Sequence, residues 1–250
     1  MKQLAKVIGI ISYLPDNPEK REIRLALLKK LITDCNSLFI DLPIIIIAQN
    51  WPEDLYKDTK NITIYRYKEP LTIVGARIKL REIFLESSYD YLIMLDDDCE
   101  ISGTPEGVKN YLDFIDNNPD CWITKHGSLL KLFAISKTIM KQVEYDIVRL
   151  EYLEGYEDTI FFNKLLLFHE SAFRHFPYEA MVQDRSHSTA DENSTWYRPG
   201  VDLRELQEKT RTILKKYDKR EKPIVGLHFK KDEMPETLRK NLEEQLGKKD

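Results

Sequence analysis

The segment Tyr91-Leu92-Ile93-Met94-Leu95-Asp96-Asp97-Asp98-Cys99-Glu100-Ile101 constrains this chain more than any other. An apolar run of five residues reads as a buried strand, and it ends abruptly in three aspartates. Open α/β sheets bind ligands beyond the carboxyl ends of their strands, so such a strand delivers its charge to a ligand-binding edge. Three unpaired buried carboxylates would be very costly, so something positive should sit against them. A divalent cation carrying a phosphate meets that need, because Mg²⁺ and Mn²⁺ favour carboxylate and water oxygens.

The segments before the aspartates alternate strand and helix. Residues 6–12 form an apolar first strand. They lack a small-residue cleavage site and run into Pro15-Asp16-Asn17-Pro18, which sets them apart from a signal-peptide core. Asn17 is a good N-cap and Pro18 suits the first helical position. Ile23, Leu27 and Leu31 then recur at helical spacing. Residues 43–48 are apolar on both faces, as parallel strands tend to be, and residues 62–67 alternate. A helix follows Gly75, with Ala76, Leu80, Ile83 and Phe84 on one face. This order predicts an α/β fold: a mostly parallel, Rossmann-like sheet with helices on both faces.

Beyond the aspartates, Thr104-Pro105 opens a helix with Val108, Tyr111, Leu112 and Ile115 inward, and Asn117-Asn118-Pro119-Asp120 ends it. Residues 121–124 and 129–135 read as strands around a Lys125-His126-Gly127-Ser128 turn, and 137–150 as a helix. Gly155-Tyr156-Glu157-Asp158 precedes a helix carrying Phe161, Leu165 and Phe168. Residues 184–197 are polar and aperiodic, the pattern of a loop or lid. A long amphipathic helix with Leu203, Leu206, Thr210, Ile213 and Tyr217 follows.

Composition narrows the function classes. With 42% hydrophobic and 32% charged residues, the 250-residue chain is globular rather than disordered. A net charge of -4 argues against a nucleic-acid binder that relies on bulk positive charge. Cys35, Cys99 and Cys121 have no metal-binding spacing and read as free thiols in a reducing compartment. No apolar run approaches the ~18 residues of a spanning helix, so the expected location is cytoplasmic, with at most peripheral membrane contact.

Taken together, the Ser12-Tyr13 turn after the first strand, the Gly75-Ala76-Arg77 helix start and the strand ending in Asp96-Asp97-Asp98 resemble the GT-A glycosyltransferases. Gly155-Tyr156-Glu157-Asp158 resembles the second signature of the inverting, GT2-like members, with an acidic pair at the head of a helix. The resemblance covers about residues 6–196. The chain lacks the Gln-x-x-Arg-Trp signature and membrane helices of processive synthases, which favours transfer of a single sugar.

The resemblance implies a role for each residue. Asp96 would touch the ribose or a metal-bound water, Asp98 would bind Mn²⁺ or Mg²⁺ directly, and Asp97 could help with either. On an extended strand Asp96 and Asp98 would share a face. His187 is the candidate for a further metal ligand, with His228 as its competitor, His169 and His175 behind it, and a plain loop histidine as the alternative. Ser12 and Tyr13 would line the nucleotide pocket, Tyr13 near the base. Arg77 and Arg81, one helical turn apart, could face the diphosphate or the base, or simply an exposed helix face. Asp158 is the candidate base: a helix N-terminus favours its ionised form, and the alternative is a simple N-cap. Trp196 could stack on a sugar or merely pack.

The expected protein is a metal-dependent glycosyltransferase. It moves one sugar from a nucleotide-sugar donor, a UDP-sugar first, to a hydroxyl of a glycan, lipid-linked or protein acceptor, with inversion. Residues 1–200 would form the catalytic domain, with a nucleotide-sugar half of about 1–103 and an acceptor half of about 104–200. Residues 201–250 would form a C-terminal helical extension. A sugar nucleotidyltransferase is the enzyme alternative, but such proteins usually carry a glycine-rich loop after the first strand, and here that loop has no glycine. A non-catalytic donor-binding scaffold is the third reading.

Overall fold

A computed structural model gives the fold over residues 3–56, 59–68, 71, 73–124, 132–143, 161, 165, 169–176 and 182–184. The first half alternates strand and helix: β1 (Lys6–Tyr13), α1 (Pro18–Leu38), β2 (Ile44–Gln49), β3 (Ile62–Tyr67), α2 (Ile73–Glu86) and β4 (Tyr91–Asp96). Then come β5 (Cys99–Ile101), α3 (Pro105–Asp116), β6 (Trp122–Thr124), β7 (Phe133–Ser136) and the short α4 (Lys137–Met140). A 3-10 turn (Glu170–Ala172), β8 (Phe173–His175) and β9 (Val182–Asp184) complete the described elements.

Seven strands form one sheet in the order β3-β2-β1-β4-β7-β6-β8. β3, β2, β1 and β4 run parallel, and β7 is antiparallel to both β4 and β6. The chain therefore leaves β1 in one direction along the sheet and returns on its other side at β4. That reversal is a topological switch point, and it opens a crevice beyond the carboxyl ends of β1 and β4. β5 and β9 pair separately, antiparallel, with Cys99 opposite Asp184.

Two apolar layers hold the sheet. On one face Ile8, Ile10, Ile93 and Leu95 pack with Leu28, Leu31 and Ile32 of α1 and Val108, Tyr111 and Ile115 of α3. On the other, Val7, Ile11, Leu92 and Met94 pack with Ala76, Leu80 and Phe84 of α2 and Ile139 and Met140 of α4. This is the two-faced, mostly parallel α/β architecture that the sequence predicts. Asn17 caps α1, its side chain accepting from the Lys20 amide, and Thr104 caps α3 through the Gly107 amide. Phe161 and Leu165 are buried, Phe161 edge-on to Phe133.

Several details differ from the sequence reading. Ile23 is exposed and Leu27 only half-buried, because the inward stripe of α1 is Arg24, Leu28, Leu31, Ile32 and Cys35. α2 starts two residues before Gly75, so that glycine lies inside the helix. α4 has one turn within the described residues, and the rest of 137–150 from 144 onward lies outside them. The short strands β5, β8 and β9 have no legible period at three residues each. Residues 201–250 lie outside the described residues.

The centre of β1 is closely packed at Gly9. A Cβ on Gly9 would lie 2.7 Å from Leu92 Cδ1 and 2.9 Å from Leu80 Cδ2, both on buried side chains. Gly9→Ala gains some backbone entropy but overpacks the interface of β1, β4 and α2. It is expected to destabilise the protein by about 1–3 kcal/mol, read as a lower urea midpoint with an unchanged m-value.

Candidate functional site

The aspartates stand at the switch point, and the alternation of the strand decides where each points. Asp96 follows Leu92 and Met94 onto the α2 face, where Arg77 Nη2 donates to its Oδ1 at 2.8 Å. Asp97 follows Ile93 and Leu95 onto the α1 face and meets Arg24 Nη2. β4 stops at Asp96, so the backbone turns at Asp97-Asp98 before β5 begins. The turn swings Asp98 round to the same guanidinium, Arg24 Nη1 donating to its Oδ2 at 3.0 Å. Asp97 and Asp98 thus share one arginine. The shared face of Asp96 and Asp98 that an extended strand would give does not survive the end of the strand.

Both arginines are buried, Arg24 at 1% and Arg77 at 3% exposure. They are the positive groups that buried carboxylates require. With all five side chains ionised, three aspartates and two arginines leave one net negative charge. Burial pushes the Asp97 carboxyl above its ordinary range, against the pull of the Arg24 guanidinium beside it. Burial alone would lower Arg24, but Asp97 and Asp98 hold it above its ordinary value.

Asp97 is 2% exposed, whereas the Asp96 side chain keeps 29% and the Asp98 side chain 10%. Asp96, Asp98 and Cys99 each bring one candidate ligand atom, and these atoms lie within 4.8 Å of one another. Two hard carboxylate oxygens and the net negative charge suit Mn²⁺ or Mg²⁺.

The loops beyond β1 and β2 are tied together beside this cluster. Asn50, at φ 56°, donates from Nδ2 to Leu14 O at 2.9 Å and to Asp16 Oδ1 at 2.7 Å. Arg21 of α1 donates to Asn50 O at 2.7 Å and to Leu14 O and Pro15 O. Ser12 is buried, and its hydroxyl accepts from Trp51 Nε1 at 3.2 Å. Tyr13 is half-buried at the end of β1, in register with Gln49 of β2. Gln49 is also buried, and its Oε1 has no hydrogen-bond partner among the described residues.

Three features escape a linear reading. Arg24 occupies the apolar stripe of α1, one turn before Leu28, and that misplaced charge is the signal for it. Arg77 faces inward to Asp96 rather than outward. Arg81 folds over the end of α4, donating to Met140 O and Val143 O. Its role is to cap backbone carbonyls, because it reaches them at 3.1 and 2.9 Å. Asp158, Glu157, His187, Trp196 and His228 lie outside the described residues.

No protein-family model matches this sequence, and no curated protein matches it either. Solved structures do match in shape. TarS of S. aureus, residues 1–349, superposes with a TM-score of 0.51 at 14% identity, over 72% of this chain and 60% of that one. The same TarS fragment in complex with UDP gives 0.51 at 13% identity, over the same shares. GalNAc-T7 with UDP, GalNAc and Mn²⁺ gives 0.54 at 11% identity, over 85% of this chain and 48% of that one. The chain thus spans about 60% of the TarS fragment and about half of GalNAc-T7. Within the described residues no helix is long and apolar enough to cross a membrane. The sheet order, the switch-point carboxylates and these superpositions together give the chain the GT-A glycosyltransferase fold.

Proposed function

We propose that this protein is a metal-dependent glycosyltransferase that moves one sugar from a UDP-sugar to a hydroxyl of a glycan, lipid-linked or protein acceptor, with inversion. The observation that carries the reading is the cluster of Asp96 and Asp98 at the switch point between β1 and β4. The complexes of TarS with UDP and of GalNAc-T7 with UDP, GalNAc and Mn²⁺ are consistent with it, since both share the fold. Residues 1–103 would bind the nucleotide sugar, residues 104–200 the acceptor, and residues 201–250 would form a helical extension.

In this reading Asp96 and Asp98 hold Mn²⁺ or Mg²⁺, and Asp96 also faces the ribose. A bound divalent cation supplies Lewis-acid stabilisation of the departing diphosphate. Arg77 works from beneath by fixing Asp96. Tyr13 borders the base, and the Oε1 of Gln49 beside it fits an imide N–H such as that of uracil. Ser12 holds the base of the pocket through Trp51.

His187 completes the ligand set. Asp184 lies opposite Cys99, the residue after Asp98, and His187 is three residues further along. Asp158 accepts the proton of the acceptor hydroxyl as that oxygen attacks the anomeric carbon. The bond from that carbon to the diphosphate oxygen breaks on the opposite face, which inverts the centre.

Two variants test the assignment. Asp98→Ala is expected to abolish Mn²⁺-dependent UDP binding in calorimetry, and an unchanged affinity would remove Asp98 from the site. Asp158→Asn should keep UDP binding while donor turnover falls roughly 10²–10⁴-fold, the usual worth of a positioned base. Full turnover in that variant would remove Asp158 from the mechanism.

A further inference from the structure

We infer that Arg24 is a positioning residue: it never meets the donor, and it sets the affinity of the site for the divalent cation by fixing the carboxylate of Asp98. The inference rests on the metal-dependent reading above and goes beyond it, because it assigns the control of the site to a helix on the underside of the sheet.

Arg24 is 1% exposed and sits one turn from Leu28 on the buried stripe of α1. Its two terminal nitrogens take different carboxylates, Nη2 meeting Asp97 and Nη1 meeting Asp98. Asp97, at 2% exposure, is the deeper of the two and anchors the guanidinium. Asp98 is shallower and belongs to the Asp96, Asp98 and Cys99 cluster. One planar fork therefore grips a buried anchor with one arm and a candidate ligand with the other. A guanidinium can do this, because its donors are fixed in a plane, whereas an ammonium is a point charge.

This grip has two consequences for a cation. Asp98 stands in the turn after the end of β4 rather than within the strand. The bond to Arg24 orients its carboxylate, and one of its oxygens lies within 4.8 Å of a ligand atom of Asp96. The positive charge of Arg24 also lessens the net negative charge of the aspartate group, so binding a cation together with an anionic diphosphate becomes more favourable than binding the cation alone. Partners behind a metal ligand commonly change metal affinity 10–100-fold.

Helix α1 carries the same effect to the nucleotide side. Arg21, one turn before Arg24, holds Leu14, Pro15 and Asn50 carbonyls in the loops beyond β1 and β2. One rigid helix thus fixes both the aspartate turn and the loops beside Tyr13.

The test pairs two variants with Mn²⁺–UDP calorimetry and thermal unfolding. Arg24→Met with Asp97→Leu removes the guanidinium and its buried anchor together, so that of the two carboxylates it grips only the shallower Asp98 is left without its arginine. Its melting temperature should fall less than that of Arg24→Met alone, while its affinity for UDP in the presence of Mn²⁺ falls about 10–100-fold. Arg24→Lys keeps the buried charge and loses the fork, and should fall between the two. Should the double variant fail to fold, Arg24→Lys decides alone. A wild-type affinity in whichever variant folds overturns the positioning role, and a lowered melting temperature without a loss of affinity makes Arg24 merely structural. Absence of Mn²⁺-dependent UDP binding in the unaltered protein overturns instead the metal-dependent function on which the inference rests.

Discussion

Everything at the rim of this sheet depends on how three consecutive carboxylates are kept in a largely buried place. Moving an ion out of water costs several kcal/mol even after relaxation, so aspartates at this depth need countercharges. The fold supplies one from each side: Arg24 from α1 to Asp97 and Asp98, and Arg77 from α2 to Asp96. Losing one partner of such a buried pair typically costs roughly 3–5 kcal/mol. The two arginines are therefore as much a part of the site as the aspartates.

The arrangement follows from the alternation of a single strand. β4 is buried on both faces by aliphatic side chains, so any charge at its end must also face one helix layer or the other. Asp96 continues the α2 side and Asp97 the α1 side, and each finds an arginine there. The turn that follows then brings Asp98 back toward Arg24. Two arginines against three aspartates leave the group one positive charge short of neutrality, and Asp96 and Asp98 are its more exposed members.

Much of the fold was legible in the sequence because its signals are local. Asn17 and Pro18 mark a helix start, and Thr104 and Pro105 mark another. The isoleucines of β2 mark a strand buried on both faces. The aspartates could be recognised because they end such a strand. What was not legible depends on contacts across the chain. Arg24 pairs with residues 73 and 74 positions away, and nothing near it in sequence announces that. Its presence on an apolar stripe was the available clue, and the stripe through Ile23 and Leu27 obscured it. The three-residue strands β5 and β9 form only because they pair with each other. Arg81 reads like Arg77 in sequence, one helical turn away, yet it caps α4 while Arg77 holds an aspartate.

The central claim is that a charged group built from two helices and one strand end retains a place for a divalent cation bound together with a nucleoside diphosphate. Calorimetric titration of the unaltered protein with UDP, with and without Mn²⁺, tests it most directly. The account predicts saturable heat with Mn²⁺ present and its loss when the ion is chelated. Equal UDP affinity in both conditions, or no binding in either, would contradict it.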